Sequence, residues 1–137
     1  MTQDSDSAFA AQIDIFIEVV LGRKAYDLVV LDVRKLTTIA DVFVLCSGRS
    51  NRQVKAIADH VQEKMKAQGI YSLGVEGKSE GHWVLLDFGH VIIHIFYEPI
   101  REFYDLEGLW RDAGRMQTPA LEKAQEQKAQ EDATDGQ

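Results

Sequence analysis

Disulfide chemistry is closed to this sequence, because its one cysteine, Cys46, has no partner. A lone thiol fits a reducing compartment. Basic residues are also scarce: 15 Lys and Arg stand against 22 Asp and Glu, a net charge of −7. That balance argues against the usual phosphate-neutralising mode of nucleic-acid binding and leaves a basic protein as the natural electrostatic partner. No apolar run approaches the ~20 residues that a membrane span requires. The opening MTQDSDSAFA has neither an apolar signal core nor an arginine-rich transit face. A cytoplasmic protein without membrane contact is expected.

What is present suits one globular domain. The chain has 137 residues, 45% of them hydrophobic, enough to bury a core without disulfides or metals. Residues 1–7 are polar and read as a frayed terminus. From Ala8 to Lys24, Phe9, Ile13, Phe16, Val20 and Leu21 recur at helical spacing. YDLVVLDV (26–33) and DVFVLCSG (41–48) read as strands. Ser50 and Gln53 then form a capping box that opens a helix with the stripe Val54, Ile57, Ala58, Val61 and Met65, stopped at Gly69. SLGVE (72–76), Trp83 to Asp87 and His90 to Tyr97 complete five strands, and Pro99 opens a helical piece carrying Phe103, Leu106, Leu109 and Trp110. Residues 116–137 hold no aromatic and a single leucine, and read as an acidic, disordered or loosely helical tail beyond a domain at 8–115. The order α-β-β-α-β-β-β-α predicts an α/β or α+β domain, a mixed sheet flanked by helices.

The stretch EGHWVLLDFGHVIIHIFYEP (80–99) combines strand patterning with unusual polar and aromatic residues. His90 and His94 lie four apart on a strand, ~13 Å, too far to share one zinc ion. If Phe88-Gly89 is a two-residue turn, Asp87 faces His90 and Trp83 faces His94. Alternation then gives one aliphatic face, Val84, Leu86, Val91, Ile93, Ile95 and Tyr97, for the core. The other face carries Trp83, Leu85, Asp87, His90, Ile92, His94 and Phe96. Such a mixed face is either a partner surface anchored by Trp83 or a second layer covered by another helix. Phe88, at the turn tip, is expected to have little to pack against within the chain.

Other candidates carry less. CSGRSN (46–51) lacks the spacing of a Walker loop, and an ordinary strand-to-helix turn explains it. Cys46 sits in an apolar strand, where a small buried thiol is the default. Asp27, Asp32, Asp41, Glu76 and Asp87 include no Asp-x-Asp pair on one strand face, as a two-metal nucleotidyl-transfer site requires.

ADVFVLCSGRSNRQVKAIADHV, VEG, HWVLLDFGHVIIHIF and REFYDLEGLWRDA occur in an order and spacing that resemble the ribosomal silencing factor (RsfS, Iojap-like) family, from about Phe9 to Ala113. The resemblance implies a nucleotidyltransferase-like fold without catalytic acids, no enzymatic activity and no cofactor. It implies a homodimer that binds the fourteenth protein of the large ribosomal subunit, blocks joining of the small subunit and represses translation when nutrients are scarce. Trp83 and Phe88 match the family's partner-binding positions. Glu76 and Asp87 would complement basic residues on that ribosomal protein, with His90 and His94 on the same face. His90 stands where the family usually carries Asp, which would make its contact pH-sensitive. Two further readings remain open: a divergent nucleotidyltransferase-like enzyme using the Ser47–Ser50 turn, and an adaptor whose mixed face serves only self-association.

Overall fold

The computed structural model describes residues 2–135, with side chains described for 7–133. Five helices and six strands run in the order α1 (Thr2–Leu21), β1 (Tyr26–Asp32), β2 (Val42–Gly48), α2 (Asn51–Ala67), β3 (Gly74–Glu76), β4 (Trp83–Asp87), β5 (Val91–Tyr97), α3 (Glu98–Tyr104), α4 (Leu106–Leu109), β6 (Gly114–Arg115) and α5 (Pro119–Asp135). The strands form one mixed sheet in the order β3-β4-β5-β2-β1-β6. Only the central pair, β2 and β5, is parallel.

The two central strands are also the most buried: every residue of β2, and all of β5 but Tyr97, is shielded from water. This is why both read as nearly continuous apolar runs. On one side of the sheet, Ile13, Phe16, Ile17 and Val20 of α1 and the Val54–Met65 stripe of α2 close over Val30, Val44, Cys46, Val84, Leu86, Val91, Ile93 and Ile95. Helix α2 starts as its sequence predicts. Ser50 Oγ accepts from the Gln53 amide at 3.0 Å, and Gln53 Oε1 accepts from the Arg49 amide at 2.6 Å. It ends where Gly69, at φ 81°, donates to the Lys66 carbonyl and Ile70 donates to that of Met65.

Four expectations need correction. The sheet has six strands, not five, because Gly114 and Arg115 pair with Asp32 and Leu31 at the β1 edge. Helix α1 begins at Thr2, where a frayed segment through Ser7 was expected. The acidic segment takes the helical one of its two expected states, over Pro119–Asp135, but it packs on the domain instead of trailing beyond it. Thr118 caps it by accepting from the Leu121 amide, and Leu121, 3% exposed, joins the core beside α1. Leu121, the Thr118 cap, the Ala120 amide bond to Asp14 and the Lys128–Asp27 pair hold a helix rich in Ala, Glu, Lys and Gln, all strong helix formers.

The fourth correction concerns the hairpin. Gly89 and His90, not Phe88 and Gly89, make the turn. Phe88 donates to the Val91 carbonyl at 2.9 Å, Trp83 pairs with Phe96, and Leu85 pairs with His94. Gly89 takes φ 90° at the first central position, and its amide is held by Asp87 Oδ1 at 2.7 Å. Sliding the turn by one residue moves each pairing by two, so both strands keep the faces that alternation assigns them.

Candidate docking face

The second side of the sheet is built in rows. Glu76, Leu85, His94, Leu45 and Val29 lie side by side across β3, β4, β5, β2 and β1. The neighbouring rows are Asp87, Ile92, Phe43 and Leu31 on one flank, and Trp83, Phe96 and Ser47 on the other. The short helices α3 and α4 cover this side in part. Leu106 is buried, and Ile100 and Trp110 pack against Leu31, Val33, Ala40, Phe43, Leu45, Ile92 and Phe96.

Trp83 is half-buried at the margin of that cover. Its ring stacks on Phe96 with centroids 4.9 Å apart, and Tyr104 lies against it at 5.2 Å. The indole Nε1–H donates to His94 Nδ1 at 3.1 Å. His94 is itself 5% exposed, between Phe43 and Trp83. Burial pushes its imidazole down to about 4, so the ring is neutral at physiological pH. His94 therefore lies beneath the surface, and the expectation that it faces a partner directly is corrected.

Phe88 is corrected too. It is 7% exposed and packs on Phe16 with centroids 5.2 Å apart, within the core under α1. As a strand residue opposite Val91 it follows Leu86 to the inner face. His90 is exposed at the turn, with its ring edge-on to Phe16 and its carbonyl accepting from the Asp41 and Val42 amides. Asp87 is half-buried and holds the turn. Glu76 is exposed on the edge strand β3. Trp83, Glu76, Asp87 and His94 thus share one side of the sheet, Phe88 lies on the other, and His90 sits at the tip between them.

The single helical piece expected after Pro99 is instead two short helices. Phe103 is 80% exposed, Leu109 76% and Tyr104 51%, so Phe103 and Leu109 do not share the burial of Leu106. The reason is local. Asp105 takes a left-handed conformation, φ 44°, and caps the Gly108 amide, so two short helices replace one continuous stripe. The segment DLEG carries that signal, an Asp placed to cap the amide three residues on. The exposed rings of Phe103 and Tyr104, 5.1 Å apart, continue the surface that Trp83 begins. Exposed Glu98, Glu102 and Asp105 of the same segment line a cavity that Tyr26 edges.

The remaining candidates have structural employment. Ser50 caps α2. Ser47 Oγ and the Asp27 carbonyl hold Arg101 Nη1, while Arg101 Nε donates to Glu107 at 2.8 Å. These groups wall a cavity of about 660 Å³ between β1, α3 and α5, with Tyr26 and Lys128 at its edge. Cys46 is fully buried, and burial pushes its thiol up to about 12, which leaves it protonated and unreactive. Among the described residues no three His, Cys, Asp or Glu come together as a metal site, and no helix is long and apolar enough to cross a membrane.

The chain matches the family model described as "Ribosomal silencing factor during starvation" over residues 6–137. It is 43% identical over 94 residues to Ribosomal silencing factor RsfS of Chromobacterium violaceum, covering 69% of this chain and 77% of the relative. It is 31% identical to the Mus musculus protein named Mitochondrial assembly of ribosomal large subunit protein 1, covering 72% of this chain and 44% of that one. A crystal structure of a Chromobacterium violaceum protein superposes with a TM-score of 0.70 at 35% identity, covering 82% of this chain and 92% of that chain.

Proposed function

Since the chain belongs to the ribosomal silencing factor family, we propose that it docks on the large ribosomal subunit through the Trp83 side of its sheet and represses translation by steric means. The contact is the fourteenth protein of that subunit, and the docked domain, as a homodimer, occupies space that the small subunit needs. Repression operates in the cytoplasm when nutrients are limiting. One observation carries this reading: half-buried Trp83 and the exposed rings of Tyr104 and Phe103 form a continuous apolar surface, with the acids Glu76 and Asp87 on the same side of the sheet. Accessible apolar residues beside an indole are what protein interfaces use as anchors, and the two acids suit a basic ribosomal surface. His90 lies farther off, at the turn. The exposed Tyr71 and Leu73 beside the edge strand β3 offer separate apolar surface for a second copy.

On this reading the protein has no chemistry of its own. The scaffold is nucleotidyltransferase-like without catalytic acids, and Ser47 and Ser50, the side chains an enzyme would need free, are already engaged. Trp83→Ala is expected to weaken binding to purified large subunits by roughly 1–3 kcal/mol, about 5- to 150-fold, measured by co-sedimentation. Equal retention of wild type and variant would remove the anchor and the reading with it.

A further inference from the structure

We propose that His94 is a positioning residue for docking: its Nδ1 accepts the Trp83 indole N–H and thereby fixes the ring that meets the ribosome. This inference rests on the docking reading above and adds a residue that never touches the partner.

The geometry gives the reason. Trp83 is stacked on Phe96 with centroids 4.9 Å apart, and Tyr104 lies against it tilted by 48° at 5.2 Å. Stacking leaves a ring free to slide and turn in its plane. A hydrogen bond at one point of the rim removes that freedom, and the Nε1–H bond to His94 Nδ1 at 3.1 Å is the bond that does so. Indole can only donate, so this bond fixes the imidazole as the tautomer with its proton on Nε2. That Nε2 is buried and has no hydrogen-bond partner. Leu45 and Leu85 pair with His94 from the strands on either side, and Phe43 packs edge-on against it. An apolar side chain would suit these neighbours better, because a buried, unpaired N–H costs free energy. What the imidazole supplies in return is an acceptor for Trp83, the half-buried residue at the edge of the exposed surface.

The test uses the full chain with ¹⁵N-labelled tryptophan. It has two indoles, Trp83 and Trp110, assigned with a Trp110→Phe variant. In the wild type the Trp83 indole proton is expected to exchange slowly with solvent. His94→Leu, which removes the acceptor, should lose that protection and bind large subunits about five- to tenfold more weakly. His94→Asn, whose Oδ1 can take the place of Nδ1, should restore most of both. A His94→Leu protein that keeps indole protection or wild-type affinity overturns the inference. So does a folded His94→Asn protein that restores neither, since the imidazole would then serve packing alone. If His94→Leu does not fold, ¹⁵N-histidine spectra of the wild type still decide: a proton on Nδ1 of His94 refutes the bond. Failure of the docking reading looks different, because it appears as unchanged binding by Trp83→Ala whatever the indole spectra report.

Discussion

Replacing Phe88 with alanine separates the two roles that this residue could have. Its ring lies 7% exposed in the core below α1, 5.2 Å from Phe16. Truncating a buried phenylalanine costs about 3–5 kcal/mol. Phe88 sits at the end of the sheet, where water can follow the shortened side chain, so the lower end, about 3 kcal/mol, is expected. For a chain of 137 residues each kcal/mol moves the melting temperature by about 3–4 °C, which gives a drop near 10 °C. Circular dichroism melts measure the drop. Co-sedimentation with large subunits, run well below the lowered transition, should give wild-type affinity, because the ring lies on the far side of the sheet from Trp83. A melting temperature within about 2 °C of wild type together with lost binding would refute this reasoning. Phe88 would then be the outward contact that its place beside the turn glycine suggested.

Three further outcomes follow from the same packing. Ser50→Ala should cost about 1 kcal/mol by leaving the Gln53 amide without its cap, readable as a lower denaturation midpoint at unchanged m-value. Tyr26, pushed up to about 12 by burial and then by its hydrogen bond to Glu98, should ionise last among the four tyrosines in an ultraviolet titration. Because the folded pKa is raised, its contribution to stability is complete below pH 10 and fades as pH rises toward 12. Glu98→Gln should bring the late phenol down. Leu121→Ala should cost about 2–3 kcal/mol and open α5 to trypsin at Lys123 and Lys128. It should leave large-subunit binding unchanged, since Leu121 packs with α1 on the side opposite Trp83.

Much of this architecture was legible from residue order because burial imposed it. β2 and β5 are central, and their nearly continuous apolar runs say so. The α2 cap is written as Ser50 and Gln53. The sorting of Trp83 and His94 away from Val84 and Ile95 follows from alternation and survived a misplaced turn. What could not be read depended on single contacts. β6 is two residues long and shows no apolar period. α5 is anchored chiefly through Leu121 and Thr118. Phe88 needed the position of the turn, which Asp87 sets by bonding to the Gly89 amide. Phe103 and Leu109 needed the break at Asp105, because a helical period counts residues and does not register where the helix stops.

The helices cover the two sides of the sheet unequally. On the inner side, α2, with 17 residues, packs over β2, β4 and β5 and α1 lies beside it, so that face is covered. On the outer side, α3 has seven residues, about 10 Å, before Asp105 turns the chain and α4 adds one turn. A cover that short seals Phe43, Phe96 and Leu106 and ends at Tyr104, against the flank of Trp83. The apolar residues on its outer surface, Phe103 and Leu109, have no further layer to meet. The break at Asp105 thus lets Leu106 and Trp110 pack on the sheet while Tyr104 meets Trp83, so one local conformation shapes both the core and the surface beside the indole.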